Sequence, residues 1–443
     1  MTARSSIWLP GAAPPPAVTI GGSGRSGLVN NIGIPGAQGF GVGVCPVTPS
    51  GYTRLYGTTD PVSDNYGNYQ YADGSIVVWV PAFCYKWGTG ANDLAINAID
   101  IKPYSAFGSA SAAAALGYAV HRAFYDGGAI QPGFFVDKYL ASNNGGIASS
   151  LKNGIPIASG AGRGTVFSDL NGAPANNYGG ALAAARTRGA NFFCCTRFIQ
   201  AALALLSYAH ARAATSSAYC AWYDAAGVTN FPKGANNNAL GDTNDAAILY
   251  VSDGSAYPAC PKTGSANLFS RTTHNGQNSG VCDLNGCIWQ ITPGLTSNGT
   301  NLYALKTSAQ MKSLTGSNAG ATDLWGATGI AANYDDVGTT WGPLWATGAN
   351  RTVAFGNAAQ VFAEDASGAP WAQAGLGVPL VGGVGGTNLF GNDLIWDYKP
   401  NEMCPLSAAH WSYGASAGVW TLSLYDVRGI SSYVVGFRSA SYL

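Results

Sequence analysis

The sequence predicts an α+β or mainly β fold with long surface elaborations. Three observations carry this reading. Helical periodicity is confined to one clear stretch, short β-branched and aromatic runs recur along the chain, and the connections between them are long and rich in Gly, Asn and Ser.

Taken in order, residues 1–68 read as an N-terminal arm, because "PGAAPPPAVTIGGSGRSG" and "GIPGAQGFGVGV" carry the composition of linkers and turns. The body is expected over 69–443. "GSIVVWVPAFCYKW" (74–87) predicts a buried strand ending near Pro81, and "GFFVDKYLASNN" (133–144) a second strand leaving into a polar turn. "CTRFIQAALALLSYAHARAA" (195–214) predicts a helix capped by Thr196, with Phe198, Ile199, Ala202, Leu205, Leu206 and Ala209 near one face. Residues 225–280 read as a loop-rich insertion with one short strand at "AAILYVS". "GVCDLNGCIWQIT" (280–292) predicts a turn entering a strand, residues 310–390 are weakly patterned, and "AGVWTLSLYDV" and "SYVVGFRSASY" predict the last two strands. No fixed-period repeat is present.

Composition narrows the function classes. Only 10% of residues are charged, and the formal net charge is zero. A phosphate-driven grip on nucleic acid needs a basic stripe, and none is present. Aromatic residues at 12% and apolar residues at 47% argue for a packed core rather than disorder. No apolar run reaches the length of a membrane span; the best candidate is broken by Gln200, His210 and Arg212. Nine cysteines, with Cys194 and Cys195 adjacent, predict buried thiols made in a reducing cytoplasm.

Motifs of catalysis are weak. "GASAG" (414–418) fits G-x-S-x-G, but an alternating run follows where a helix is required, and His410 lies upstream. His121, His210, His274 and His410 form no metal-binding spacing, and Cys282 and Cys287 lack a second pair. "NNNALGDTND" offers oxygen ligands without an EF-hand order, and "GGVGGT" is a poor phosphate loop. No catalytic residue, cofactor or metal is expected.

Four pieces in order resemble a known family. "VVWVPAFCYKW", "GFFVDKYLASN", "GVCDLNGCIWQIT" and the terminal "VVGFRSAS" look like the C-type-lectin fold of the formylglycine-generating-enzyme type, over roughly 70–443. The segment 405–443 further resembles the variable region of proteins diversified by retroelements, a phage and bacterial group in which adenine-directed mutation changes chosen positions within a constant frame. In that family Tyr, Ser, Thr, Asp, Gly, Ile, Val and Ala are accessible at such positions, whereas Lys, Glu, Gln, Met and Trp are not. The resemblance maps the changeable sites onto Ser412, Tyr413, Ser416, Thr421, Ser423, Tyr425, Asp426, Ile430, Ser432, Tyr433 and Val434, with Ala415 and Gly429 as additions. It maps the frame onto Trp411, Gly418, Trp420, Leu422, Leu424, Arg428, Gly436, Phe437 and Arg438. The chain departs from the family at Cys287, usually Asn, and at Gln290, usually Glu. Cys404 also stands without the sequence-close cysteine partner of the enzymatic branch, which favours the binding branch.

Alternation gives the ending a physical sense. In "WTLSLY", Trp420, Leu422 and Leu424 share one face of a strand, and Thr421, Ser423 and Tyr425 the other. The first face can bury while the second changes freely, and Tyr, Ser and Gly suit a contact surface. An ordinary half-exposed strand shows the same alternation. The resemblance implies a non-enzymatic receptor-binding protein of a phage tail-fibre tip, made in the host cytoplasm and carried in the virion. It would grip a host-surface protein or glycan through residues 412–434, attach to virion tail proteins through its arm, and form a homo-oligomer, with a trimer favoured by that class. The rival readings are a structural virion component, a formylglycine-type oxidase and a calcium-dependent sugar binder.

Overall fold

The computed structural model describes residues 32–162, 164–223, 249, 260–314, 333–338, 351–355, 360–380, 382–383, 390 and 393–443, with the backbone pairings of Thr2–Ala3, Ser6–Ile7 and Val18–Thr19. The "AAILYVS" strand apart from Leu249, the "NNNALGDTND" loop and most of "GGVGGT" lie outside the described residues.

The chain is a mixed α+β protein in which sheets dominate and helices are few. "GSIVVWVPAFCYKW" forms two strands, not one. Ile76–Pro81 ends where Pro81 faces Gly133, and Phe83–Trp87 then enters a different sheet with Ile99–Pro103. Proline has no N–H to continue a ladder, so the chain changes sheets there. Ile76–Pro81 and Gly133–Asp137 are the central strands of a six-stranded antiparallel sheet that also holds the terminal strand Ser439–Ser441.

The predicted helix is Arg197–Ala213, and Thr196 Oγ1 accepts from the Ile199 N–H. It is buried on every side from Arg197 to Ala211, not on one face. Ala201, Ala202, Ala204 and Ala209 let neighbours approach all round it. Arg197 is held by Leu376 O at 2.7 Å and Ser407 Oγ at 3.0 Å, and burial pushes its pKa down to about 9.

Two segments correct the sequence-based boundaries. Ile32, Phe40, Val42 and Val44 belong to the main core, so the body begins well before residue 69. The glycines between them allow the approach: Gly36 N–H donates to His210 Nδ1 at 3.0 Å, and Gly39 N–H to Gln277 Oε1 at 2.8 Å. At Gly36, φ is +79° and a β-carbon would strike the Ala213 carbonyl. The second correction concerns the insertion. Thr273, His274 and Asn275 near its end are fully buried, linked to the 40–41 backbone by His274 Nε2 to Gly41 O at 2.9 Å and Asn275 Nδ2 to Phe40 O at 3.0 Å.

The last residues of the chain join both large sheets. Leu422–Ser423 and Val435–Gly436 lie in a seven-stranded sheet with Trp289–Ile291, Leu394–Asp397 and Leu406–Ser407. Ser439–Ser441 then crosses to the six-stranded sheet, where Ser439 N–H donates to Asp137 Oδ2 at 2.9 Å. That carboxylate also receives Arg188 Nη2 at 3.0 Å, in an ion pair sealed from solvent.

Candidate functional site

The seven-stranded sheet has two unlike faces, set by period-2 alternation and register. Trp396 lies opposite Ser423, Ser423 opposite Leu406, and Trp289 opposite Val435. These residues share one face. Their neighbours Ile395, Leu422, Ser407, Gln290 and Gly436 turn the other way; Ile395 and Leu422 join the main core, and Ser407 meets Arg197 of the central helix. The first face is the floor of an open cleft of about 460 Å³.

Trp289, Trp396, Leu406, Ser423 and Val435 come from the sheet, and His410, Tyr413, Tyr425, Asp426, Ile430, Ser432 and Val434 come from the loops after it. Seven of the changeable positions therefore meet in one cleft: Tyr413, Ser423, Tyr425, Asp426, Ile430, Ser432 and Val434. Beneath them every frame position is buried, from Trp411 and Gly418 to Phe437 and Arg438.

Other changeable positions sit elsewhere. Ser412 is exposed beside the cleft, with its hydroxyl 3.1 Å from His410 Nδ1. Gly429 is exposed, Ser416 is half-buried, and the side chain of Ala415 lies outside the described residues. Tyr433 does not line the cleft; its neighbours Ser432 and Val434 do, and its ring turns back toward Trp411, 6.4 Å between centroids. Thr421 is a clear correction. It is 0% exposed, and its hydroxyl donates to Ser416 O at 2.8 Å. The regular strand here spans only Leu422–Ser423, so alternation cannot carry Thr421 onto the open face. Tyr425, by contrast, is 49% exposed at the cleft mouth.

The aromatic lining is tightly organised. Trp289 and Trp396 are 5.8 Å apart at 84°, and Tyr413 lies 5.2 Å from each at 76° and 85°. Edge-to-face packing of this kind contributes about 0.5–1.5 kcal/mol per pair beyond area burial. Trp289 also hydrogen-bonds the Tyr413 hydroxyl, whose pKa burial nevertheless raises. His410 stands edge-on to Tyr413 at 4.6 Å. Its position follows an unusual backbone: Ala408 and Ala409 both adopt left-handed φ, +77° and +64°. Asp426 is half-buried, Ser423 Oγ donates to its Oδ2 at 3.3 Å, and burial raises its pKa.

Sequence reasoning missed Trp289, Trp396, Leu406, His410 and Val435. Trp289 is visible within the strand-like end of "GVCDLNGCIWQIT", but its facing direction depends on long-range register. "LIWD" is too short a run to announce a strand by itself.

A second cleft, of about 530 Å³, includes Arg122, Tyr125, Asp335 and Trp371 but none of the C-terminal positions. Among the described residues no three His, Cys, Asp or Glu side chains gather as a metal would require, and no helix is long and apolar enough to cross a membrane. Cys404, alone in sequence, shares a buried cluster with Cys194. Burial raises the pKa of both thiols, which removes the thiolate a nucleophile needs.

No protein-family model matches the chain, and neither does any curated protein. Among solved structures, the Major Tropism Determinant M1 Variant aligns with a TM-score of 0.30 and 11% identity, covering 83% of this chain and 63% of that one. The Major Tropism Determinant U1 Variant aligns with a TM-score of 0.28 and 10% identity over the same shares. The chain thus spans less than two thirds of the length of these structures.

Proposed function

We propose that the protein is a non-enzymatic receptor-binding protein with a C-type-lectin-like body, carried at a phage tail-fibre tip, and that the cleft holds a host-surface ligand. The observation that supports this most is the convergence of Tyr413, Ser423, Tyr425, Asp426, Ile430, Ser432 and Val434 on one open cleft above a buried frame. An ordinary half-exposed strand does not require residues from loops after two separate strands to meet in one concavity. The resident chemistry suits recognition: rigid aromatic rings supply area at low entropic cost, and the serines supply adaptable hydrogen bonds. In this reading the residues before about 32 attach the body to tail proteins and to sister chains, and residues 413–434 remain open to diversification.

The test is adhesion. Fluorescently labelled protein is applied to a panel of bacterial cells, beside the double variant Tyr425→Ala/Ile430→Ala. The reading expects the parent to label particular strains and the variant to lose that labelling while keeping a cooperative melting transition, since Ile430 also packs on the apolar cluster beneath the cleft. A variant that labels the same strains equally well contradicts it.

A further inference from the structure

The cleft combines three features that together select a ligand charge. The first is its aromatic lining: Trp289, Trp396 and Tyr413 all border the cleft and stand at near right angles to one another. A ring face carries partial negative charge and attracts cations. The second is Asp426, a half-buried carboxylate that lines the same cleft. Apart from His410, it is the only acidic or basic side chain among the described residues lining it. The third is what Asp426 lacks. Its carboxylate receives the Ser423 hydroxyl at 3.3 Å, and no arginine or lysine of the described residues forms an ion pair with it. Elsewhere the protein does supply such partners, as Arg188 does for Asp137 and Asp73.

From this geometry we propose that the cleft takes an organic cation, an alkylammonium group that meets the carboxylate of Asp426 on one side and the rings of Trp289, Trp396 and Tyr413 on the other. This inference rests on the cleft being the ligand site of the preceding section, and it adds the chemical class. Half-burial costs the carboxylate hydration that an incoming cation restores as direct attraction. The alkyl part of the ligand is accommodated by Ile430 and Val434 on the same wall. A lysine side chain of a surface protein and a quaternary ammonium headgroup both present this chemistry.

The test titrates the full-length protein with Nα-acetyl-lysine amide, with choline, and with 3,3-dimethylbutanol as the uncharged isostere of choline. Binding is followed by tryptophan fluorescence and by saturation-transfer NMR. The inference expects at least one cation to bind at least about tenfold more tightly than the alcohol, and Asp426→Asn to remove that advantage. Preference for the lysine amide assigns a protein source, and preference for choline a headgroup. Equal binding of choline and the alcohol, or an unchanged cation preference in Asp426→Asn, overturns it. Absence of any cation binding also overturns it. If Tyr425→Ala/Ile430→Ala still abolishes cell adhesion in that case, the receptor-binding reading stands without the cation. Asp426→Asn leaves the buried frame untouched, and its melting curve verifies folding.

Discussion

Arg438 Nε donates to Gln290 Oε1 at 2.7 Å, on the far side of the strand whose Trp289 lines the cleft. The same guanidinium reaches the Asp137 carbonyl at 2.8 Å and the Cys282 carbonyl at 2.7 Å, while Gln290 Nε2 donates to Asp283 O at 3.0 Å. One buried side chain near the end of the molecule thus ties the two large sheets to the 282–290 segment. Arg438→Lys keeps the charge but loses the planar fork. We expect it to lower unfolding stability by about 2–3 kcal/mol in urea denaturation, because buried acceptors lose charge-assisted partners.

The frame glycines answer to space rather than to backbone shape. A β-carbon at Gly436 would run into the Ile157 carbonyl oxygen and the Ile288 side chain, and one at Gly418 into the Asp393 carboxylate. Gly436→Ala should therefore destabilise by roughly 1–3 kcal/mol, since backbone must move. Ser432→Ala at the cleft rim should change stability by about 0.5 kcal/mol or less. Thermal melting of the two variants side by side checks the contrast.

Three histidines serve the fold in their neutral form. His274 accepts from the Val281 N–H at 3.0 Å through Nδ1, His210 from the Gly36 N–H at 3.0 Å, and His121 from the Ala123 N–H at 3.2 Å. Burial lowers their pKa values from 6.5 to about 4, about 4 and about 3 respectively. The unfolded chain therefore takes up these protons first as pH falls. Their contribution is complete above pH 6.5 and is lost progressively down to the folded values near 4 and 3. Each uncompensated proton adds about 1.4 kcal/mol per pH unit to the slope. Asp126, Asp137 and Asp426, which burial holds above 3.8, act in the opposite sense and soften the acid end. Urea midpoints should fall steeply between about pH 6 and 4; a flat profile would contradict neutral burial.

All nine cysteines are buried. Burial pushes Cys45 up to about 11 and Cys84 and Cys220 up to about 12. Thiolate is the reactive form. A disulfide-exchange reagent at pH 8 should label the native protein slowly and titrate nine thiols after denaturation.

Much of this was legible in the chain. The Thr196-capped helix and the turn into Trp289–Ile291 follow capping chemistry and local periodicity, whereas the frame positions of 411–438, which are buried, follow from the resemblance to the retroelement-diversified family. The switch of sheets at Pro81 had its signal in the missing N–H, although the flanking apolar run reads as continuous. The burial of Ile32, Phe40, Val42 and Val44 did not show, because glycine-rich composition describes both a free linker and a segment threaded closely against a helix. Thr421 was misjudged because a two-residue strand cannot propagate alternation. The aromatic floor of the cleft depended on register between strands that lie more than 100 positions apart, Trp289 with Val435 above all.

A saturation-mutagenesis scan of residues 411–438, scored for folded protein, separates a sealed frame from a replaceable cleft surface. Positions 413, 423, 425, 426, 430, 432 and 434 should accept most polar and small residues, while 418, 420, 422, 424, 436, 437 and 438 should accept almost none. Equal tolerance in the two sets, or a cleft set as restricted as the frame, would contradict that division.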